Sequence, residues 1–120
     1  MNKYLLWGAS GIVTLIMLMG GAMKLSGQEI ALKSFADLGM PGWFGLFIGV
    51  CEVCGAIGIW IKRLSSVAAA GIAAIMLGAL YYHIQFPPLA AGVPATIVLI
   101  CAIYVCIRRL PEAFWQRNTA

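Results

Sequence analysis

Four long apolar stretches, separated by shorter and more polar segments, dominate the pattern of this chain. A helix needs about 20 apolar residues to cross the hydrocarbon core of a bilayer, and each stretch is close to that length. The stretches extend over Tyr4 to Met23, Trp43 to Ile61, Leu64 to Ile84 and Leu89 to Ile107. The pattern therefore predicts an all-α membrane protein, an antiparallel bundle of four transmembrane helices in a single domain covering residues 1–120.

The segment between the first two stretches has a pattern of its own. Ile30, Phe35 and Leu38 are spaced as one face of a short helix, and Gly39 and Pro41 supply a stop signal. We expect a short helix that lies in the membrane interface. An anchor on the membrane surface is the commoner role of such a helix, and the alternative is a lid over the bundle.

Composition excludes a soluble domain. Hydrophobic residues make up 62% of the chain and charged residues only 10%, whereas soluble proteins carry about 25% charged residues.

The first stretch, preceded by Lys3, has features of a secretory signal. The apolar part of such signals usually has roughly 7 to 15 residues. The apolar part of this stretch is longer, so we interpret it as a retained span.

The basic residues predict the orientation of the chain. Cytoplasmic ends of membrane helices carry an excess of Lys and Arg. One set of ends carries Lys3, Lys62, Arg63, Arg108, Arg109 and Arg117, and the other carries Lys24 and Lys33. The pattern places both termini in the cytoplasm of a multi-pass protein of a bacterial-type inner membrane. The net charge of +4 then reflects topology and contact with lipid headgroups, and no nucleic-acid partner is indicated.

Glu52 lies near the middle of the second stretch, which carries no other charge. A carboxylate at that depth costs several kcal/mol unless it is protonated, paired or turned toward a polar site. Small-residue faces of the first and third stretches lead to Lys24 and His83, so the three residues are expected to share one interior as a ligand-binding or polar core. Glu52 lies about 13 Å below Trp43, which is far for direct contact with Lys24 unless the helices tilt or shift. A salt bridge and a bridging water or ligand are both open.

Each of these residues also has a structural interpretation. Glu52 would be protonated and bonded to a backbone carbonyl or to Tyr104, simply fixing the register of its helix. His83 would be an ordinary boundary residue, and the side chain of Lys24 would extend to the outer headgroups. The functional interpretation depends on the three residues acting together.

The second stretch also carries glycines and cysteines at helical spacing. Gly45, Gly49 and Gly55 are expected to form a helix-packing interface, because they let neighbouring backbones approach closely. Cys51 and Cys54 form a C-x-x-C pattern, but redox thiols sit at helix N-termini and these lie in the middle of an apolar helix. We expect both thiols to be packing residues. No metal site, haem site or catalytic residue is predicted.

Four short patterns along the chain resemble the DoxX-like family of small four-helix membrane proteins. They are Gly21-x-x-Lys24-Leu25, Phe35-x-x-Leu38-Gly39-x-Pro41-x-Trp43, Gly49-x-x-Glu52-x-x-Gly55 and Met76-x-x-Ala79-x-x-x-His83. The resemblance extends from the first stretch to the end of the third. It implies a set of polar positions matching Lys24, Glu52 and His83. Met17, where many relatives have an aromatic residue, and the C-x-x-C pattern depart from it.

The resemblance implies two classes of function. The family name derives from subunits associated with quinone-linked sulfur oxidation, and eukaryotic members of the wider group act as assembly factors or cargo receptors. In the first hypothesis the protein is a non-catalytic accessory or ligand-binding subunit, and a pocket between its helices holds a quinone, lipid or other apolar small molecule. At most it would serve a quinone-linked oxidoreductase. In the second it is an assembly factor, chaperone or homo-oligomer that offers its glycine faces to a partner membrane protein.

Overall fold

The computed structural model describes residues 3–86 and 92–112, and these residues form helices and turns without a strand. The helices are α1 (Lys3–Leu25), α2 (Glu29–Asp37), α3 (Gly42–Gly58), α4 (Ser65–Gln85) and α5 (Val93–Arg109), followed by a 3-10 turn at Leu110–Glu112. The all-helical prediction is confirmed over the described part of the chain.

The predicted stretches correspond to α1, α3, α4 and α5, with different ends. The second stretch stops three residues earlier than predicted, because the backbone turns after Gly58, with the amide of Ile61 bonded to the Gly58 carbonyl. Pro94 falls in the first turn of α5, where a missing amide hydrogen costs nothing. The predicted start of the fourth stretch at Leu89, and Arg117 near the C-terminus, lie outside the described residues.

The short helix predicted between the first two stretches is present as α2. Glycines with left-handed backbone conformations flank it, Gly27 with φ of 80° and Gly39 with φ of 76°. Residues with side chains rarely adopt this conformation, so each glycine permits a sharp change of direction. The stop signal at Gly39 is thereby confirmed.

Two of the described helices, α1 and α4, are long and apolar enough to cross a bilayer. The 17-residue helix α3 is apolar but shorter. Length and composition are therefore compatible with a helical membrane protein.

Packing joins the four longer helices in one core. Helix α1 packs against α3 and α5, and α4 packs against α5 and α3. The most buried apolar side chains are Val13, Met17, Ala56, Ile59, Ala69, Ile72, Met76, Val98, Ala102 and Val105. Many of them are small, which allows close approach of neighbouring helices.

Polar contacts at one end of the bundle set the register of the helices. The indole of Trp60 donates a hydrogen bond to the Thr14 hydroxyl at 2.6 Å. The hydroxyl of Ser66, at the start of α4, donates to the carbonyl of Cys106, near the end of α5, at 2.8 Å. The bond from Ser66 satisfies a buried hydroxyl, and the bond from Trp60 lies at the exposed side of the bundle.

Candidate ligand-binding site

Lys24 and Glu52 form a buried ion pair where α1 crosses α3. The Nζ of Lys24 lies 2.9 Å from Oε1 of Glu52, and Glu52 is only 2% exposed. Of the two arrangements that the sequence left open, the structure has the direct salt bridge. Tyr104 takes no part, since its hydroxyl is buried without a hydrogen-bond partner in the described structure.

The packing of α1 against α3 explains how Glu52 comes within reach of Lys24. Thr14 lies beside Ala56, and Gly21 beside Gly49, so the two helices meet in opposite chain order. In this register Lys24 and Glu52 are about six residues apart, or about 9 Å along the axis. Side chains on a helix lean toward its N-terminus, so these two lean toward each other and close the gap.

Glycines make room for the ion pair. A Cβ on Gly20 would lie 3.5 Å from Oε1 of Glu52 and 3.7 Å from Nζ of Lys24, so the pair rests against the bare backbone of α1. A Cβ on Gly49 would lie 2.9 Å from Cβ of Lys24. The close approach of α1 and α3 therefore brings the two charged side chains within bonding distance.

A cavity of about 620 Å³ opens above this pair, and α1, α2, α3 and α4 all line it. Lys24, Glu52 and His83 lie on its wall, so the structure brings the three predicted polar residues to one space. Most of the remaining wall is apolar, with Phe35, Leu38, Met40, Phe44, Ile48, Ile75 and Met76 among its residues. Pockets for small molecules have volumes of about 300 to 1,000 Å³ and this mixture of apolar walls and few polar groups.

His83 lies on the cavity wall next to Tyr82, with the centres of the two rings 5.3 Å apart. In the described structure no hydrogen bond joins His83 to Lys24 or Glu52. A Cβ on Gly92 would lie 3.2 Å from Cβ of His83, so the start of α5 packs closely behind the histidine. His83 therefore contributes a separate polar position, with ring nitrogens that can donate or accept.

Helix α2 covers one side of the cavity. Phe35 and Leu38 belong to the cavity wall, and a Cβ on Gly45 would lie 2.5 Å from Cδ2 of Leu32 and 3.2 Å from Cδ2 of Phe35. The apolar face of α2 thus packs on a bare patch of α3. Helix α2 therefore lies over one side of the cavity.

A polar cluster that the sequence did not predict joins α2 to α4. The Tyr82 hydroxyl donates to Oδ2 of Asp37 at 2.5 Å, and Nζ of Lys33 donates to the same oxygen at 2.7 Å. The hydrogen bonds from Lys33 and then Tyr82 lower the pKa of Asp37, and the bond to Asp37 raises the pKa of Lys33. The spacing of Lys33 and Asp37 is visible in the sequence as an i, i+4 pair. Their partner Tyr82, 45 residues farther along the chain, is not.

The three predicted packing glycines contact helices of the same chain. Gly49 packs against α1 and Gly45 against α2. A Cβ on Gly55 would lie 2.9 Å from Cγ1 of Ile72 in α4. These three glycines therefore form close contacts between helices within this chain.

The four cysteines are free thiols. The expected packing role is wrong for Cys54, which is exposed on the outside of α3, while Cys51 is half-buried. Side chains three residues apart on an α-helix point in directions about 60° apart. Cys51 and Cys54 therefore face different surroundings. Among the described residues, no group of His, Cys, Asp and Glu is arranged to hold a metal ion.

Comparisons with known proteins give a family match and a distant relative. The family model described as the DoxX-like family matches residues 8–107. The chain is 27% identical over 95 residues to an uncharacterized protein, YdgD, of Bacillus subtilis (strain 168), in an alignment that covers 76% of this chain and 82% of the relative. No solved structure matches the chain.

Proposed function

The chain belongs to the DoxX-like family, and we propose that it is a non-catalytic membrane protein that binds an apolar small molecule between its helices, as an accessory or ligand-binding subunit. The observation that carries this proposal is the cavity of about 620 Å³ with Lys24, Glu52 and His83 on its wall. Protein interiors are closely packed, so an ion pair with only a structural role would not need an apolar cavity of this size beside it.

The proposed topology has four spans, formed by α1, α3, α4 and α5, with both termini in the cytoplasm of a bacterial-type inner membrane. It is supported by the two long apolar helices and by contacts that join the start of one helix to the end of the next, such as Ser66 with Cys106. With this topology the cavity opens toward the outer half of the bilayer, beneath α2.

The charges on the cavity wall favour a neutral ligand. Lys24 is paired with Glu52, and Lys33 with Asp37, so the four charges already cancel. An added carboxylate would be a buried charge without a partner, which is costly. The Lys24 ammonium has three N–H donors and gives one to Glu52, so it retains donors for a neutral oxygen. A quinone, an isoprenoid alcohol and a neutral lipid all belong to this class.

In this proposal the residues have separate roles. Lys24 donates a hydrogen bond to an oxygen of the ligand, and Glu52 holds the ammonium in place and compensates its charge. His83 binds a second polar group or the other end of a ring. The apolar wall, including Phe35 and Phe44, contributes most of the contact area.

The alternative role, an assembly factor that offers glycine faces to partner helices, has less support. Gly45, Gly49 and Gly55 already contact α2, α1 and α4. A partner helix would have to displace these contacts to use the same faces.

The experiment is native mass spectrometry of the protein extracted gently from its own membrane, followed by denaturing analysis of any released molecule. We expect one small neutral molecule per protein, lost in Glu52→Gln and in His83→Ala with helix content unchanged by circular dichroism. The matched controls are Glu29→Gln, an exposed carboxylate of α2, and Ile84→Ala, the 67% exposed neighbour of His83. Both should retain the ligand. A co-purifying membrane protein or a homo-oligomer without a small molecule would refute the proposal and favour the assembly role.

A further inference from the structure

Helix α2 is a short helix between two glycine turns. It has nine residues, and Gly27 and Gly39 flank it with positive φ angles. A Cβ on either glycine would meet nothing within 4 Å, and the turns are closed by backbone hydrogen bonds from the Gly27 amide to the Lys24 carbonyl and from the Gly39 amide to the Ala36 carbonyl. A change in the backbone angles of the two glycines would move α2 as a unit, as hinge residues do in other proteins.

Few contacts hold α2 in its observed position. Leu32 and Phe35 pack on the bare surface at Gly45, and Asp37 accepts the hydrogen bond from Tyr82. The apolar contact at Gly45 does not fix one orientation of α2. The hydrogen bond does, because it forms only over a narrow range of distances and angles. Elements with few buried contacts and exposed polar bonds open at low free-energy cost.

The same contacts border the cavity. Tyr82, Phe35 and Leu38 all lie on its wall, and Tyr82 is the neighbour of His83. Movement of α2 away from α4 would therefore both break the hydrogen bond and open the wall. The hydrogen bond between Tyr82 and Asp37 lies at the edge where α2 meets α4. It is separate from the ion pair of Lys24 and Glu52.

We propose that α2 is a lid, latched to α4 by the hydrogen bond from Tyr82 to Asp37, whose opening limits the access and release of the cavity ligand. This inference rests on the proposed ligand-binding function. It assigns to Tyr82, Asp37 and Lys33 a role in gating, in which Lys33 donates to the same carboxylate oxygen of Asp37 that accepts from Tyr82.

The first test follows α2 itself by hydrogen–deuterium exchange of the protein in lipid nanodiscs. Tyr82→Phe removes only the hydroxyl, and we expect the amides of residues 29–37 to exchange about fivefold faster, as for loss of one hydrogen bond. Tyr81→Phe is the matched control, because Tyr81 is an exposed tyrosine on the same turn of α4. Asp37→Ala should give the same increase, and the double variant should add nothing to it. Unchanged exchange of residues 29–37 in Tyr82→Phe would overturn the lid.

The second test measures release of a short-chain neutral quinone, ubiquinone-1, which quenches tryptophan fluorescence. Loaded nanodiscs are mixed with excess empty vesicles, and the recovery of fluorescence gives the release rate. We expect release from Tyr82→Phe to be about fivefold faster than from wild type and from Tyr81→Phe. If the quinone binds and its release rate is unchanged, the lid proposal fails and the ligand-binding function stands. If the quinone does not bind, a quinone is excluded as the ligand, and the exchange experiment decides whether α2 is a lid.

Discussion

A lysine at the end of one helix and a glutamate in the middle of another form an ion pair inside this protein. The side chain of Glu52 is 3% exposed and that of Lys24 is 15% exposed. Such a pair contributes little net stability, but removal of either partner leaves an uncompensated charge. The ion pair also depends on Gly20 and Gly49, because the absence of side chains at these positions leaves the space in which the pair forms.

At this scale we predict strong coupling between Lys24 and Glu52. Lys24→Met leaves the carboxylate without a partner and should lower the free energy of unfolding by about 3 kcal/mol. The double variant Lys24→Met with Glu52→Gln should lose less, because no charge remains buried. Urea or sodium dodecyl sulfate titration followed by circular dichroism measures the four proteins of this cycle.

The exposed pair of Lys33 and Asp37 provides the control for that cycle. Lys33→Met should leave the unfolding transition almost unchanged, because an exposed pair is screened by solvent. Additive losses in the Lys24 and Glu52 cycle would contradict the coupling and show that the two residues act independently.

Among the elements, α1 and α3 pack closely where two glycines meet. Gly21 faces Gly49 across their crossing, and a Cβ on Gly21 would lie 2.7 Å from Cγ2 of Val53 and 3.0 Å from the Gly49 carbonyl. The second of these atoms is backbone and cannot turn away. The helices would have to separate, and the ion pair beside the crossing would lengthen.

We therefore predict that Gly21→Ala destabilises the fold by about 1 to 3 kcal/mol, as overpacking does elsewhere. Gly8→Ala on the same helix is the matched control, since a Cβ there meets nothing within 4 Å. It should be neutral or slightly stabilising, because alanine favours helix more than glycine does. Thermal unfolding of both variants in one detergent measures the difference. Equal melting temperatures would mean that the crossing of α1 and α3 adapts without cost.

Helix α2 shows how an element acquires its role from its surroundings. Its sequence predicts a short amphipathic helix with an end at Gly39, and both features are present. A surface anchor and a lid have the same amphipathic pattern. The position of its apolar face on Gly45, beside the cavity, is the observation that supports the proposed lid.

For the whole molecule, the proposed topology places the loop between α1 and α3 outside and the loop between α3 and α4 in the cytoplasm. Single cysteines test this after the native cysteines Cys51, Cys54, Cys101 and Cys106 have been replaced by alanine. Ser26→Cys and Arg63→Cys lie in the two loops, and both positions are exposed.

A membrane-impermeant maleimide should label Ser26→Cys in intact spheroplasts and Arg63→Cys only after the membrane is opened. The reason is the excess of basic residues on the Arg63 side of the bundle. Labelling of both positions in intact cells would contradict the four-span topology, and the opposite pattern would reverse the orientation.

The sequence by itself determined the helical class, the short helix between the first two stretches, the family and the three polar candidates. These depend on local properties: hydrophobic runs of sufficient length, glycine and proline stops, and an ionisable residue where the chain is otherwise apolar. The burial of Glu52 was readable for the same reason, because Gly45, Gly49 and Ala56 share its helix face.

The tertiary structure alone decided which partners these residues have. Helical rise counted along one axis left a salt bridge and a bridging water or ligand both open, whereas the opposite lean of the side chains and the bare glycine crossing join Lys24 and Glu52 at 2.9 Å. The bond from Tyr82 to Asp37 and the cavity beneath α2 likewise depend on contacts between residues far apart in the chain. Periodicity specifies the face that a residue occupies on its own helix, and only packing specifies what lies opposite that face.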